Sequence, residues 1–153
     1  MNTTFPAVWR RPALAITLGV LACGLSALAS PQDKGDQKAL QVYYLEVVTK
    51  EVDQVCAAYS AAGGVTFGKP DAGLGGARTA PLAGGGMVGV RAPLRETEAP
   101  VVRPYWLVKD IKAAVAAARK AGGQVAVEPM AIPGHGTFAI YVQGGVDHGL
   151  WEK

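Results

Sequence analysis

The sequence predicts an α+β fold built from two βαβββ modules. The first observation is a repeated glycine pair, in "AAGGVT" and "KAGGQV", with Gly63 and Gly122 59 residues apart. The second is that the segments before and after the two pairs match at the same spacing. A spacing that holds over several predicted elements indicates a duplicated unit.

Each glycine pair follows a predicted helix with an apolar stripe. The two helices are expected at residues 51–62 and 110–121. In the first, Val52, Cys56 and Tyr59 recur at helical spacing and so share one face. Both helices are expected to end at the glycine pairs, because glycine adopts the left-handed conformation that closes a helix.

Runs rich in branched and aromatic residues surround each helix and predict strands. The first strands are expected at residues 42–49 and 102–108. After the helices, strands are expected at residues 65–68, 77–82 and 86–91 in the first module, and at 124–128, 136–141 and 145–150 in the second. The two modules therefore span about residues 41–92 and 102–153 of a single domain, 41–153.

Residues 1–29 have the pattern of a secretory signal peptide. An arginine pair precedes an apolar run too short to span a bilayer comfortably, and the segment ends in an A-x-A motif at Ala29. We expect cleavage after Ala29 and a periplasmic or secreted bacterial protein. Residues 30–40 are mostly polar and are expected to form a disordered lead-in. An uncleaved membrane anchor and lipoprotein processing at Cys23 are the alternatives.

Cleavage would change the charge and cysteine content of the chain. It would remove Arg10 and Arg11 but no acidic residue, lowering the formal charge from +3 to +1. No basic patch for nucleic acid and no further membrane span are then expected, and a homodimer stays open. Cys56 would be the one remaining cysteine, so no intramolecular disulfide is expected. Its place on the helical stripe predicts a buried thiol rather than a nucleophile.

Four stretches, taken in order, resemble the vicinal oxygen chelate (VOC) superfamily, which includes glyoxalases, bleomycin-resistance proteins and extradiol dioxygenases. They are "YYLEVVTKEVDQVCAAY", "YWLVKDIKAAVAAARKAGGQV", "PMAIPGHGTFAIY" and "GGVDHGLW". The resemblance covers roughly residues 41–151. It implies that the two modules form one curved mixed sheet, a cup for a small ligand, which in many members lies over a divalent metal.

The resemblance also implies where metal ligands would lie: on the first and last strand of each module. Those positions here are Tyr44 and Arg103 on the first strands, and Val90 and Gly149 on the last. Arginine, valine and glycine side chains do not ligate divalent ions, and tyrosine rarely does so unaided. No metal or other cofactor is therefore expected.

A displaced metal site is the alternative. Glu46 shares a strand face with Tyr44, and Asp147 shares one with Gly149, because side chains alternate along a strand. His135 lies in a Pro-Gly loop from which it could reach the cup. His148 is expected on the opposite face, packed in the core.

The residues that the register leaves in the cup form an aromatic box with one cation and two carboxylates. They are Tyr44, Glu46, Arg103, Tyr105, Asp147 and Trp151. Aromatic walls with a few polar groups are typical of small-molecule pockets. The alternative is that Arg103 and Glu46 merely neutralise one another inside the sheet.

Three functions follow. The first is metal-free binding of a small aromatic or anionic molecule, with Arg103 in place of the metal as the anchor of the anion. The second is a metal-dependent lyase, isomerase or dioxygenase with displaced ligands such as Glu46 and His135. The third is a partner-binding domain whose cup is filled by its own side chains. The missing metal ligands favour the first over the second.

Overall fold

The computed structural model describes residues 39–153, which contain two helices and seven strands. The elements are β1 (Val42–Val48), α1 (Val52–Gly63), β2 (Arg78–Leu82), β3 (Gly86–Arg91), β4 (Val101–Leu107), α2 (Ile111–Lys120), β5 (Gln124–Ile132), β6 (Gly136–Gln143) and β7 (Val146–Glu152). A short 3-10 helix, Ala72–Leu74, precedes β2. The predicted signal peptide, Cys23 and nearly all of the predicted lead-in lie outside the described residues.

All seven strands form one mixed sheet in the order β2-β3-β1-β4-β7-β6-β5. The first strand of each module pairs in parallel with the last, and the two first strands pair antiparallel at the centre. Leu45 and Pro104, which are 59 residues apart, lie directly opposite one another in that central pair. The sequence repeat is thus a two-fold repeat of the structure, and the predicted α+β class is confirmed.

Both helices pack on one face of the sheet. Cys56 of α1 is buried against Val47 and Val90, while Val115 of α2 packs with Leu150. Because side chains alternate along each strand, the neighbouring residues project from the other face. That face carries the cup, so the helices support the site without contributing to its lining.

The helix ends follow local sequence signals. Asp110 precedes α2, and its carboxylate accepts a hydrogen bond from the Ala113 amide at 2.9 Å, an N-terminal cap. Gly64 follows α1 with a φ of 66°, the left-handed conformation that glycine tolerates. No helix in residues 39–153 is long and apolar enough to cross a membrane.

One predicted strand is wrong. Residues 65–68 do not form a strand, so the first module is βαββ where βαβββ was expected. Phe67 is buried in the core and the Gly68 amide donates to Thr79 at 2.8 Å. Pro70, which has no amide hydrogen to donate, follows two residues later. The segment is therefore held mainly by its side chains.

The register at the last strands is also different from the prediction. Glu46 lies opposite Gly89, whereas its repeat partner Tyr105 lies opposite Gly149, so the two glycines are 60 residues apart rather than 59. A shift of one residue moves a side chain to the other face of a sheet. Val90, expected in the cup, is therefore fully buried on the helix face.

Two changes produce the spacing of 60: Thr79 and Ile140, which lie opposite these glycines, are 61 residues apart, so two residues are added before the hairpins and one is lost within them. The addition of two keeps the face of the strand, and the loss of one changes it. Three residues separate the paired ends of β2 and β3, whereas two glycines separate those of β6 and β7. Loop length sets the register of a hairpin. The shift places Arg91, the residue after Val90, in the cup.

Candidate functional site

The face of the sheet away from the helices carries a cavity of about 550 Å³, here called the cup. Its floor comes from β1, β4 and β7, one side comes from β5 and β6, and the linker between β3 and β4 contributes to the rim. Apolar side chains form much of the lining: Leu74, Leu94, Met130, Ile132, Phe138 and Ile140.

Three aromatic rings pack together in the floor. Tyr44 lies 5.5 Å from both Tyr105 and Trp151 between ring centroids, and Tyr105 meets Trp151 nearly edge to face at 5.8 Å. The Trp151 indole donates a hydrogen bond to the His135 carbonyl at 3.0 Å. These contacts make the floor a rigid apolar surface.

Two glycines make room for the tyrosine rings. A Cβ at Gly89 would overlap the Tyr44 ring, and a Cβ at Gly149 would overlap the Tyr105 ring. Both glycines have ordinary backbone angles, so space rather than conformation requires them. The rings can therefore lie flat across the last strand of each module.

A chain of five charged side chains crosses the floor beside the rings. At its centre, Glu46 accepts hydrogen bonds from Arg91 at 2.7 Å, from Arg103 at 2.5 Å and from the Tyr105 hydroxyl at 3.0 Å. Glu46, Arg91 and Arg103 are 6%, 5% and 8% exposed. Buried charges of this kind are tolerated when they are paired and hydrogen-bonded.

Each arginine also contacts a second carboxylate. Arg91 forms a bidentate ion pair with Glu98, with hydrogen bonds of 2.7 and 2.9 Å, and Arg103 donates a hydrogen bond to Asp147 at 2.8 Å. The order along the chain is Glu98, Arg91, Glu46, Arg103, Asp147. Positive and negative groups alternate, so each guanidinium is shared by two carboxylates.

The network shifts the pKa values of its members. The hydrogen bond from Arg91 lowers the pKa of Glu98 to about 2, against the opposing effect of burial. Burial would lower the pKa of Arg103, but its hydrogen bonds to Asp147 and Tyr105 outweigh that effect and raise it. Burial, reinforced by the charge of Glu46, raises the pKa of Tyr44 and of Tyr105. At neutral pH, Glu98 and Arg103 are therefore charged and both phenols are neutral.

Comparison with solved structures finds the same architecture in other proteins. A hypothetical protein from Bacillus halodurans C-125 matches with a TM-score of 0.60 at 18% identity, covering 76% of this chain and 96% of that one. Methylmalonyl-CoA epimerase from Mycobacterium tuberculosis matches with a TM-score of 0.57 at 18% identity, covering 72% and 86%. A point variant of the Streptomyces coelicolor epimerase, in complex with 2-nitronate-propionyl-CoA, matches with a TM-score of 0.56 at 19% identity, covering 75% and 96%.

These neighbours have the VOC fold. This chain has the VOC fold. No protein-family model matches the sequence, and no curated protein matches it. At such low identity the likeness concerns the fold and not an activity.

The VOC-fold cup contains five of the six predicted site residues. Tyr44, Glu46, Arg103, Tyr105 and Trp151 line it. Asp147 does not appear in the lining. Its side chain is 38% exposed and reaches the site through its ion pair with Arg103.

Sequence reasoning missed Arg91 and Glu98, which complete the charge network. Arg91 was not predicted, because the 59-residue spacing assigned it to the other face of the sheet. Glu98 lies in the linker between the modules, outside both repeats, so the repeat carried no signal for it. The apolar wall residue Phe138 lies in a predicted strand and could have been found by following its alternation.

The donor set does not fit a divalent metal. In the observed register, the positions of the VOC metal ligands are taken by Tyr44 and Arg103 on the first strands and by Gly89 and Gly149 on the last. Within residues 39–153, no three histidine, cysteine, aspartate or glutamate side chains are grouped in a way that could hold a metal ion. A guanidinium at a ligand position repels a cation rather than binding it.

The two histidines also lie apart from the predicted displaced site. The His135 Nε2 lies 3.1 Å from an Asp71 oxygen. His148 stacks on Tyr141, with 5.0 Å between ring centroids, and Tyr141 packs against the α2 core on the helix face. Neither histidine contacts Glu46, whose carboxylate already accepts hydrogen bonds from Arg91 and Arg103.

Proposed function

We propose that this chain is an exported protein whose VOC-fold cup binds a small molecule with an apolar or aromatic body and an anionic group, without a metal. The observation that carries the proposal is the cup itself, with its volume, its apolar walls and its buried polar floor. Cavities of about 300–1,000 Å³ with mostly apolar walls and a few fixed polar groups are the usual form of small-molecule sites.

The contacts in the floor support a ligand with a polar end. Tyr44 Oη and Arg103 Nε are buried and have no hydrogen-bond partner among the described residues. Buried polar atoms without partners are uncommon in folded proteins. A small adjustment of the Arg103 side chain towards a ligand oxygen would satisfy its Nε–H, and the neutral Tyr44 hydroxyl can donate as well.

The other two functions receive less support. A metal-dependent lyase, isomerase or dioxygenase needs a ligand set that Tyr44, Arg103 and the two glycines do not supply. A partner-binding domain with a filled cup is disfavoured by the cavity that remains above the aromatic floor. The epimerases among the structural neighbours bind acyl-CoA compounds, so such compounds belong in any ligand screen.

A thermal-shift screen of the exported protein tests the proposal. The panel would contain aromatic and branched aliphatic carboxylates, their amides and short acyl-CoA esters. A ligand at 100 times its Kd stabilises the native state by about 2.7 kcal/mol, which gives a clear rise in Tm. Each hit would then be titrated against Arg103→Leu and Glu46→Gln. If no compound binds and Arg103→Leu melts higher than the parent, the charges are purely structural and the proposal fails.

Export is tested separately by intact-mass measurement. Fractionated bacterial cells should contain a chain beginning at Ser30 in the periplasm or medium. A lipid-modified Cys23, or the full chain in the membrane fraction, would contradict cleavage after Ala29.

A further inference from the structure

One of the charged groups that line the cup has no partner among the described residues. Three arginines and two glutamates line it: Arg91, Arg95 and Arg103, with Glu46 and Glu98. Arg91 and Arg103 are each committed to two carboxylates. Within residues 39–153, Arg95 forms no ion pair and its side chain makes no hydrogen bond. Together with Asp147, the network around Arg91 and Arg103 contains three carboxylates and has a formal charge of −1, and Arg95 is the guanidinium of the lining that is left without a carboxylate in this part of the chain.

The linker that carries Arg95 is held by the network below it. The Leu94 amide donates to the Glu98 carboxylate at 2.6 Å, and the Glu98 amide donates to the Arg95 carbonyl at 3.0 Å. The Glu98 carboxylate also accepts two hydrogen bonds from Arg91. The backbone on both sides of Arg95 is thus fixed, which lowers the entropy lost when its side chain engages a ligand.

Apolar side chains accompany this guanidinium at the rim. Leu94 and Met130 are 64% and 52% exposed, and both line the cup. They come from the linker and from β5. A ligand that bridged them would cover exposed apolar surface while placing a polar group beside Arg95.

We propose that Arg95 is the residue that recognises the anionic group of the ligand, and that the ligand is a small organic acid whose carboxylate lies at the rim while its apolar body enters the cup. The proposal rests on the proposed function and makes it more specific. It moves the anion from Arg103, as the sequence predicted, to the mouth. The two terminal nitrogens of Arg103 already donate to Glu46 and Asp147, so an anion could pair with them only by displacing a carboxylate, and only the Nε–H is left for a neutral acceptor. At Arg95 an anion displaces only water.

Calorimetric titration with a matched pair of probes tests this assignment. The probes are naphthalene-2-carboxylate and naphthalene-2-carboxamide, which share a body and differ in charge. The exported protein should bind the acid about fivefold more tightly than the amide, the range expected of an exposed charge pair. That preference should shrink as salt is added.

Substitutions at Arg95 and Arg103 show which of the two arginines recognises the carboxylate. Arg95→Gln should lose the preference for the acid and still bind both probes, and Arg95→Lys should keep most of it. Arg119→Gln is the matched control, because Arg119 is an exposed arginine on α2, on the helix face. It should behave as the parent does.

The remaining outcomes are also decisive. If neither probe binds the parent protein, the proposed binding function fails for this ligand class. If acid and amide bind equally well, or if Arg103→Leu removes the preference while Arg95→Gln keeps it, ligand binding stands and the role of Arg95 is overturned.

Discussion

Glu46 holds two buried arginines, and the stability of the floor depends on its carboxylate. Glu46→Ala would leave Arg91 and Arg103 facing one another without the charge between them. Removing one partner of a buried ion pair costs about 3–5 kcal/mol when the remaining charge has no other partner, and because Glu98 and Asp147 still contact the two arginines, the lower figure of about 3 kcal/mol applies here. We expect the free energy of unfolding in urea to fall by about that amount.

Asp53→Ala is the matched control for this change. Asp53 is an acidic residue whose side chain is 93% exposed and pairs with Arg78. Its loss should cost about 0–1 kcal/mol, as for other exposed ion pairs. If Glu46→Ala costs no more than Asp53→Ala, the network is not a source of stability.

Substitution of Gly89 gives a second prediction about stability. In Gly89→Ala the new methyl group would overlap the Tyr44 ring, so the ring would have to move into the cup. Overpacking of this kind costs about 1–3 kcal/mol. We expect a lower urea midpoint and weaker binding of any ligand found in the screen. Gly63→Ala is the control, because a Cβ there meets nothing within 4 Å and alanine favours a helix, so it should neither lower the urea midpoint nor weaken binding.

At the scale of the element, the linker between β3 and β4 is tied to the sheet by Glu98. Its pKa of about 2 lies below the value of about 4.3 for an unfolded glutamate. A depressed pKa stabilises the folded state above the unfolded pKa, and that stabilisation is lost as the pH falls through the folded value. The free energy of unfolding of the wild-type protein should therefore be higher than that of Glu98→Gln by a constant amount above about pH 5. The difference should decrease as the pH falls from about 5 to about 2.

Unfolding in urea between pH 7 and pH 2.5 measures that difference. Glu128→Gln serves as the control, since Glu128 pairs with Arg119 on the surface of the other module. A difference for Glu98→Gln that stays the same down to pH 2.5 would show that its charge does not hold the linker.

The hairpins are the elements in which sequence reasoning lost the register. Helix positions and first strands follow from local periodicity, and the 59-residue spacing carries them from one module to the other. The last strands depend on hairpin loops of unequal length, so the same spacing assigned Val90 to the wrong face. The local pattern therefore predicted both helices and seven of the eight expected strands, and the register predicted five lining residues, but neither could predict Arg91.

For the whole molecule, we expect no stoichiometric metal in the purified protein and little change of Tm on adding a chelator. The reason is the donor set, in which Arg103 and two glycines occupy VOC ligand positions. Elemental analysis and thermal melts with and without EDTA measure this. One tightly bound equivalent of zinc, iron, manganese or nickel that is lost in Glu46→Ala would favour the enzyme instead.

The sequence by itself determined the α+β class, the duplicated module, both helices and the central pair of strands, because glycine pairs, apolar stripes and branched runs act over a few residues. It also placed Glu46, Arg103 and Tyr105 in the cup. Tertiary structure alone decided that residues 65–68 stay out of the sheet, that Arg91 replaces Val90 in the cup, and that Glu98 joins the network from the linker. These outcomes depend on strand register and on contacts between segments far apart in the chain, which no local pattern records.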